Sequence, residues 1–166
     1  IHCNDWHVGL IPRLIKSRNL KLKSLTTIHN LAYQGWYIKE FVAQALGLNL
    51  NLFQPVKKCI VSLREAILAS DLLNTVSPNY AKEILTKEFG CGLEGDLVKR
   101  KNYLSGILNG IDTKIFNPAT DKYIRSKFTA ETITKKLANK IYLQKICGLP
   151  QGENLPLFGM VGRLTA

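Results

Sequence analysis

The most constraining stretch is Leu25-Thr26-Thr27-Ile28 followed at once by His29-Asn30-Leu31-Ala32-Tyr33-Gln34-Gly35. Four short, mostly β-branched residues with no polar alternation suit a strand buried on both faces, which is the pattern of a parallel sheet. The abrupt polar break puts His29 at the strand's C-terminal end. In open α/β sheets that edge is the ligand-binding crevice.

The remainder of the chain repeats the pattern. Ile1 to Cys3 reads as a strand ending in Asn4-Asp5-Trp6-His7, and Val8 to Arg18 as a helix with Pro12 in its first turns, so with Leu25–Ile28 they make a βαβ unit. Ile38 to Leu46 is expected to be helical and stopped by Gly47. Lys57 to Ser70 shows Ile60, Leu63, Ile67 and Leu68 at helical spacing, and Asp71 to Val76 then reads as a strand. Ser77 and Pro78 suit the cap and first position of a helix over Asn79 to Phe89, stopped by Gly90. Gly90-Cys91-Gly92-Leu93-Glu94-Gly95 is a glycine-rich loop without the trailing Gly-Lys-Ser/Thr of a phosphate loop. Leu104 to Leu108 is expected to be a strand ending at Asn109, Ala130 to Cys147 a helix with Thr129 as its cap, and Leu157 to Val161 a buried strand ending at Gly162-Arg163.

Composition excludes several classes. The chain has 166 residues, 46% hydrophobic and 21% charged, enough for one core or one domain and part of another. No apolar run approaches the roughly 20 residues of a membrane span, and residues 1–6 carry no secretion signal. A net charge of +11 favours anionic partners. Because Lys and Arg are spread along the chain rather than gathered with stacking aromatics, a nucleic-acid partner is not expected. The four cysteines form no Cys-x-x-Cys pair and the three histidines no His-Glu-x-x-His, so neither a metal nor another cofactor is expected, and reduced thiols fit a cytoplasmic protein.

Collected at the strand ends are Asp5, His29, Ser77, Asn109 and Arg163: an acid, an imidazole, a hydroxyl, an amide and a guanidinium. Arg163 suits phosphate oxygens through its planar fork, while His29, Asp5 and Asn109 suit hydroxyls, so the set matches a nucleotide sugar. Each residue also has a plainer local reading, Asp5 and Ser77 as caps and Asn109 as a turn former.

Asp5-Trp6-His7-Val8-Gly9-Leu10, His29-Asn30-Leu31-Ala32-Tyr33-Gln34-Gly35, Val76-Ser77-Pro78-Asn79-Tyr80-Ala81-Lys82-Glu83-Ile84, Gly92-Leu93-Glu94-Gly95, Leu108-Asn109-Gly110-Ile111-Asp112 and Val161-Gly162-Arg163-Leu164-Thr165 resemble, in that order, bacterial glycogen synthases and plant starch synthases. The resemblance implies an α/β, GT-B glycosyltransferase fold, with two Rossmann-like domains across a cleft. It implies retaining transfer of glucose from ADP-glucose, or another nucleotide glucose, to the non-reducing end of an α-1,4-glucan. It implies that His29 contacts the transferred glucose, Asp5 and Asn109 line the sugar side, Tyr33 and Gln34 shape the loop beside His29, and Arg163 stabilises the diphosphate leaving group. Residues 1–112 are then part of the N-terminal domain, and 113–166 the linker and beginning of the C-terminal nucleotide-sugar-binding domain. Such a piece is expected to be inactive alone. The alternative is a non-catalytic glucan-binding remnant. Two departures stand out: Leu63-Arg64-Glu65-Ala66, where the family usually has Leu-Lys-Ala/Gly-Gly, and Phe116 in place of a common Trp.

Overall fold

A computed structural model describes residues 1–47 and 49–162 and divides the chain into two compact units, Ile1–Asn109 and Gly110–Ala166. In the first, β1 (His2–Asn4), β2 (Leu25–Ile28), β5 (Leu72–Thr75) and β6 (Leu104–Gly106) form an all-parallel sheet in the order β1-β2-β5-β6. The connections carry α1 (Ile11–Ser17), α2 (Lys39–Leu46), α3 (Ser62–Ala69), α4 (Pro78–Glu83) and α5 (Glu94–Lys99), with α1 against α3 and α3 against α5. Between β2 and α3 lies a two-stranded antiparallel ribbon of β3 (Trp36–Ile38) and β4 (Cys59–Val61).

Period-two geometry decides what each strand buries. Ile28 and Leu73 point into a core shared with Leu63 and Ile67 of α3 and Leu97 of α5. Their alternates, Leu25 and Leu72, pair in register on the opposite face, where Leu72 is 54% exposed. A second small cluster, Val42, Phe53 and Ile60, seats the ribbon.

The helix expected over Lys57 to Ser70 is corrected in its first half. Cys59-Ile60-Val61 pairs with Trp36-Tyr37-Ile38, and the helix begins only at Ser62. Ile60 is fully buried from a strand, because a partner 23 residues away, Tyr37, supplied a ladder that local spacing does not reveal. The expected helix to Phe89 is cut to Pro78–Glu83: the Thr86 hydroxyl and N–H both take the Glu83 carbonyl, which tightens the chain out of α geometry. The glycine-rich loop turns at Gly92 into α5, whose first turn carries Glu94 and Asp96.

The starts of β2 and β5 are tied by Asp71, whose carboxylate accepts the Ser24 N–H at 2.8 Å and lies 3.3 Å from the Lys23 ammonium. The backbone N–H of Ser24, above all, holds the Asp71 carboxyl below its ordinary value of 3.8, with Lys23 adding to the effect. A carboxyl depressed in the folded state stabilises fully above its unfolded pKa and loses that contribution as pH falls through the folded one. Asp71→Asn is therefore expected to lower the urea midpoint at pH 7, with the gap to wild type closing as pH drops below the carboxylate range. A gap of equal size at both ends of that titration would refute the assignment.

In the second unit α6 (Lys136–Ile146) follows a 3-10 turn at Ile133–Lys135 and is capped by Cys147, beyond which Gly148 turns the chain at φ +64°. The helix starts six residues later than expected, because Thr132 Oγ1 accepts the Thr129 N–H and folds that stretch into a turn. Asn139 exchanges hydrogen bonds with the Ser126 backbone, and the buried Gln144 accepts the Gly152 N–H at 3.1 Å. The buried strand expected over Leu157 to Val161 is also corrected. That run forms no strand, and Phe158, Met160 and Val161 are exposed. A parallel strand needs neighbours on its edges, and among the described residues none pairs with this run.

Candidate functional site

All four strands of the main sheet run the same way, so Asp5, His29, Ser77 and the residues after Gly106 all leave from one edge. Asp5 stands immediately after β1 with φ 56°, an uncommon value for a side chain larger than glycine. Its N–H donates to the Thr27 carbonyl at 3.0 Å, and its Oδ1 accepts the His29 N–H at 2.8 Å. The turn thus places a carboxylate against the first residue beyond β2. His29 is exposed, and its Nε2 lies 2.9 Å from Asn4 Oδ1.

The loop after His29 is fastened at each of its informative positions. Asn30 Oδ1 accepts the Ala32 N–H, turning the chain. Leu31 is fully buried and its N–H donates to the Tyr80 hydroxyl. Gln34 is turned inward, its amide nitrogen donating to the Cys91 carbonyl at 2.9 Å. The carbonyls of Gln34 and Gly35 accept the N–H groups of Leu63 and Ser62 at the start of α3. Gly35 has φ +65°, and a Cβ there would come within 2.6 Å of the Trp6 ring, so only glycine fits. Tyr33 projects, 62% exposed. The seven-residue loop is therefore a rigid bracket that presents His29 and Tyr33.

Of the residues expected at the site, His29 and Asp5 are joined directly and Tyr33 shares the loop of His29. Gln34 supports the loop from inside, linking it to the glycine-rich turn at Cys91. Asn109 lies beyond β6, exposed and without a hydrogen bond among the described residues. Ser77 acts as a cap, its Oγ accepting the N–H groups of Asn79 and Tyr80 at 3.2 Å. Arg163 lies outside the described residues. Sequence reasoning missed Asn4, although its register opposite Thr27 puts it on the same face as His29. Cys3, beside it, is buried, and burial pushes its thiol up, away from reactivity.

A hollow of about 630 Å³ opens elsewhere, lined by His2, Lys23, Leu25, Asp71, Leu72 and Tyr103. Those residues stand at or near the strand starts, the edge opposite His29, so the hollow is not the crevice expected of this fold. Among the described residues no group of three or more His, Cys, Asp or Glu side chains converges as a metal site, and no helix is long and apolar enough to cross a membrane.

Residues 1–99 match the family model described as starch synthase catalytic domain. The glycogen synthase of Geotalea daltonii is 46% identical over 177 residues, covering 99% of this chain and 36% of that protein. Glycogen synthase 1 of Methylococcus capsulatus is 42% identical over 168 residues, covering 99% and 34%. Among solved structures, the catalytic domain of starch synthase IV from Arabidopsis thaliana, bound to ADP and acarbose, aligns with a TM-score of 0.74 at 33% identity, over 90% of this chain and 33% of that one. The chain thus spans about a third of the length of the relatives it matches.

Proposed function

Because the chain belongs to the starch synthase catalytic domain family, with the Rossmann-like α/β architecture of a GT-B glycosyltransferase, we propose that it is part of a retaining enzyme that moves glucose from ADP-glucose to the non-reducing end of an α-1,4-glucan. The observation that carries this reading is the His29 bracket: a histidine exposed at the C-terminal edge of a parallel sheet, its main chain held by Asp5 and its loop anchored at Leu31, Gln34 and Gly35. Such preorganisation suits a group that must meet a sugar hydroxyl in one geometry.

In this reading His29 contacts the transferred glucose, and Asp5 and Asn109 line the sugar side. Tyr33 and Gln34 shape the loop, and Arg163 neutralises the departing diphosphate through its fork of N–H donors. The reaction breaks the bond from C1 of glucose to the donor phosphate oxygen and forms one from C1 to the acceptor hydroxyl oxygen on the same face, the hydroxyl proton passing to the departing phosphate. Positive side chains take up the charge on the leaving group, so the scheme calls for no cofactor. Residues 1–112 belong to the N-terminal, acceptor-side domain and 113–166 to the linker and the beginning of the nucleotide-sugar domain. A unit boundary between Asn109 and Gly110 supports that division. A cytoplasmic location belongs to the same reading.

The test is transfer of labelled glucose from ADP-glucose and, separately, UDP-glucose into glycogen by the protein in its complete reading frame. Transfer is expected, with ADP-glucose the better donor, while the isolated 166-residue chain is expected to show none. A folded complete protein that uses neither donor would leave the glucan-binding remnant as the better account.

A further inference from the structure

We infer that Asn4 is the positioning residue for His29, holding the imidazole through Nε2 so that the neutral ring carries its proton there and keeps the Nδ1 lone pair for a ligand hydroxyl. The inference rests on the proposed sugar site and adds to it a residue on a different strand.

The register explains the pairing. Asn4 lies opposite Thr27 in the β1–β2 ladder, and His29 stands two residues beyond Thr27 and therefore on the same face of the sheet. Asn4 and His29 are thus diagonal neighbours, a relation that long side chains bridge. The bridge is made: Asn4 Oδ1 lies 2.9 Å from His29 Nε2. An amide oxygen only accepts, so the ring nitrogen facing it must be the donor. The next residue, Asp5, takes the His29 main-chain N–H. The last residue of β1 and the first residue beyond it thus hold the ring and the backbone of the same histidine.

Neighbouring groups on that face are already engaged. His2 Nε2 lies 2.6 Å from Thr27 Oγ1, and that hydroxyl donates to Asn74 Oδ1 at 2.6 Å. Thr27 therefore has no proton left for the His29 ring, and among the described residues Asn4 is the one side chain bonded to it. Nδ1 carries no hydrogen bond among the described residues. In a sugar site, a fixed lone pair accepts from a hydroxyl in a set direction, whereas a ring free to turn or change tautomer presents N–H and lone pair alternately.

The experiment uses the complete protein with ring-labelled histidine and the variants Asn4→Leu and Asn4→Asp, with His29→Ala to assign its signals. Nitrogen NMR above the histidine titration range is expected to show His29 protonated at Nε2 in wild type and in Asn4→Asp, and a tautomer mixture in Asn4→Leu. In turnover, Asn4→Leu is expected to lose about 10- to 100-fold in kcat with little change in the glucan KM, and Asn4→Asp to recover most of it. Wild-type His29 protonated at Nδ1, or an Asn4→Leu protein with unaltered tautomer and kcat, overturns the inference. If wild type transfers from neither donor, the functional reading falls, and the tautomer measurement still decides the role of Asn4.

Discussion

Glu65→Ala is expected to cost about 3–5 kcal/mol of folding stability, a large part of what a domain of this size commands. Glu65 is fully buried on α3, facing α1, and its Oε2 lies 2.7 Å from Arg13 Nε while its Oε1 accepts the Gln54 N–H at 2.7 Å. Truncation strands both partners. The Arg13 guanidinium is mostly buried and its Nη2 already lacks a partner, so it would have no counter-charge, and the Gln54 N–H would have no acceptor. Coulombic attraction alone would not predict this size, because desolvation offsets most of what a buried pair gains. The same reasoning makes the double variant Arg13→Met with Glu65→Leu milder than either single change, since no charge is then left buried and only the Gln54 N–H lacks its acceptor. Urea unfolding of the four proteins in a double-mutant cycle reads the coupling directly. Single variants that each cost under about 1 kcal/mol would contradict the account.

Glu65 also shows how far sequence carries. It stands where the resembled family has a small residue, so altered packing there is legible, but its partner on α1 is not, because Arg13 is 52 residues away and reads locally as a surface cation. The parallel strand β2 was legible because Leu25 to Ile28 is a short run without polar alternation, ended by a polar break. Helix boundaries held where local chemistry decides them, as at Ser77-Pro78 for α4 and Gly47 for α2. The β3–β4 ribbon was not legible, because Cys59-Ile60-Val61 satisfies helical spacing equally well until Trp36-Tyr37-Ile38 is known to lie beside it. Leu157 to Val161 shows the converse: strand composition without a partner leaves an apolar run exposed. At the candidate site, His29 and Asp5 were visible as strand-end residues. The inward turn of Gln34 and the reach of Asn4 depend on the loop's anchors and on strand register, neither of which residue type encodes.

His29→Ala in the complete protein is expected to reduce glucosyl transfer by about 10²–10³-fold while leaving stability nearly unchanged. The two halves of that expectation have separate structural grounds. Stability survives because the ring is exposed, and what fastens the residue is its main-chain N–H on Asp5, which alanine retains. Leu31, Gln34 and Gly35 anchor the following loop through contacts in which the His29 side chain takes no part. In the proposed role, activity falls because hydrogen bonds to sugar hydroxyls that strengthen toward an oxocarbenium-like transition state supply several kcal/mol, and alanine offers none. The kinetic split then discriminates between roles. Equal loss in kcat and kcat/KM marks a contact made in the transition state, whereas a raised KM at constant kcat marks simple binding. Asp5→Ala acts on the other side of this division. It removes the acceptor for the His29 N–H, so it is expected to lower both the unfolding midpoint and kcat. A His29→Ala protein that loses stability as Asp5→Ala does would mean that the imidazole is part of the bracket rather than the group the bracket presents.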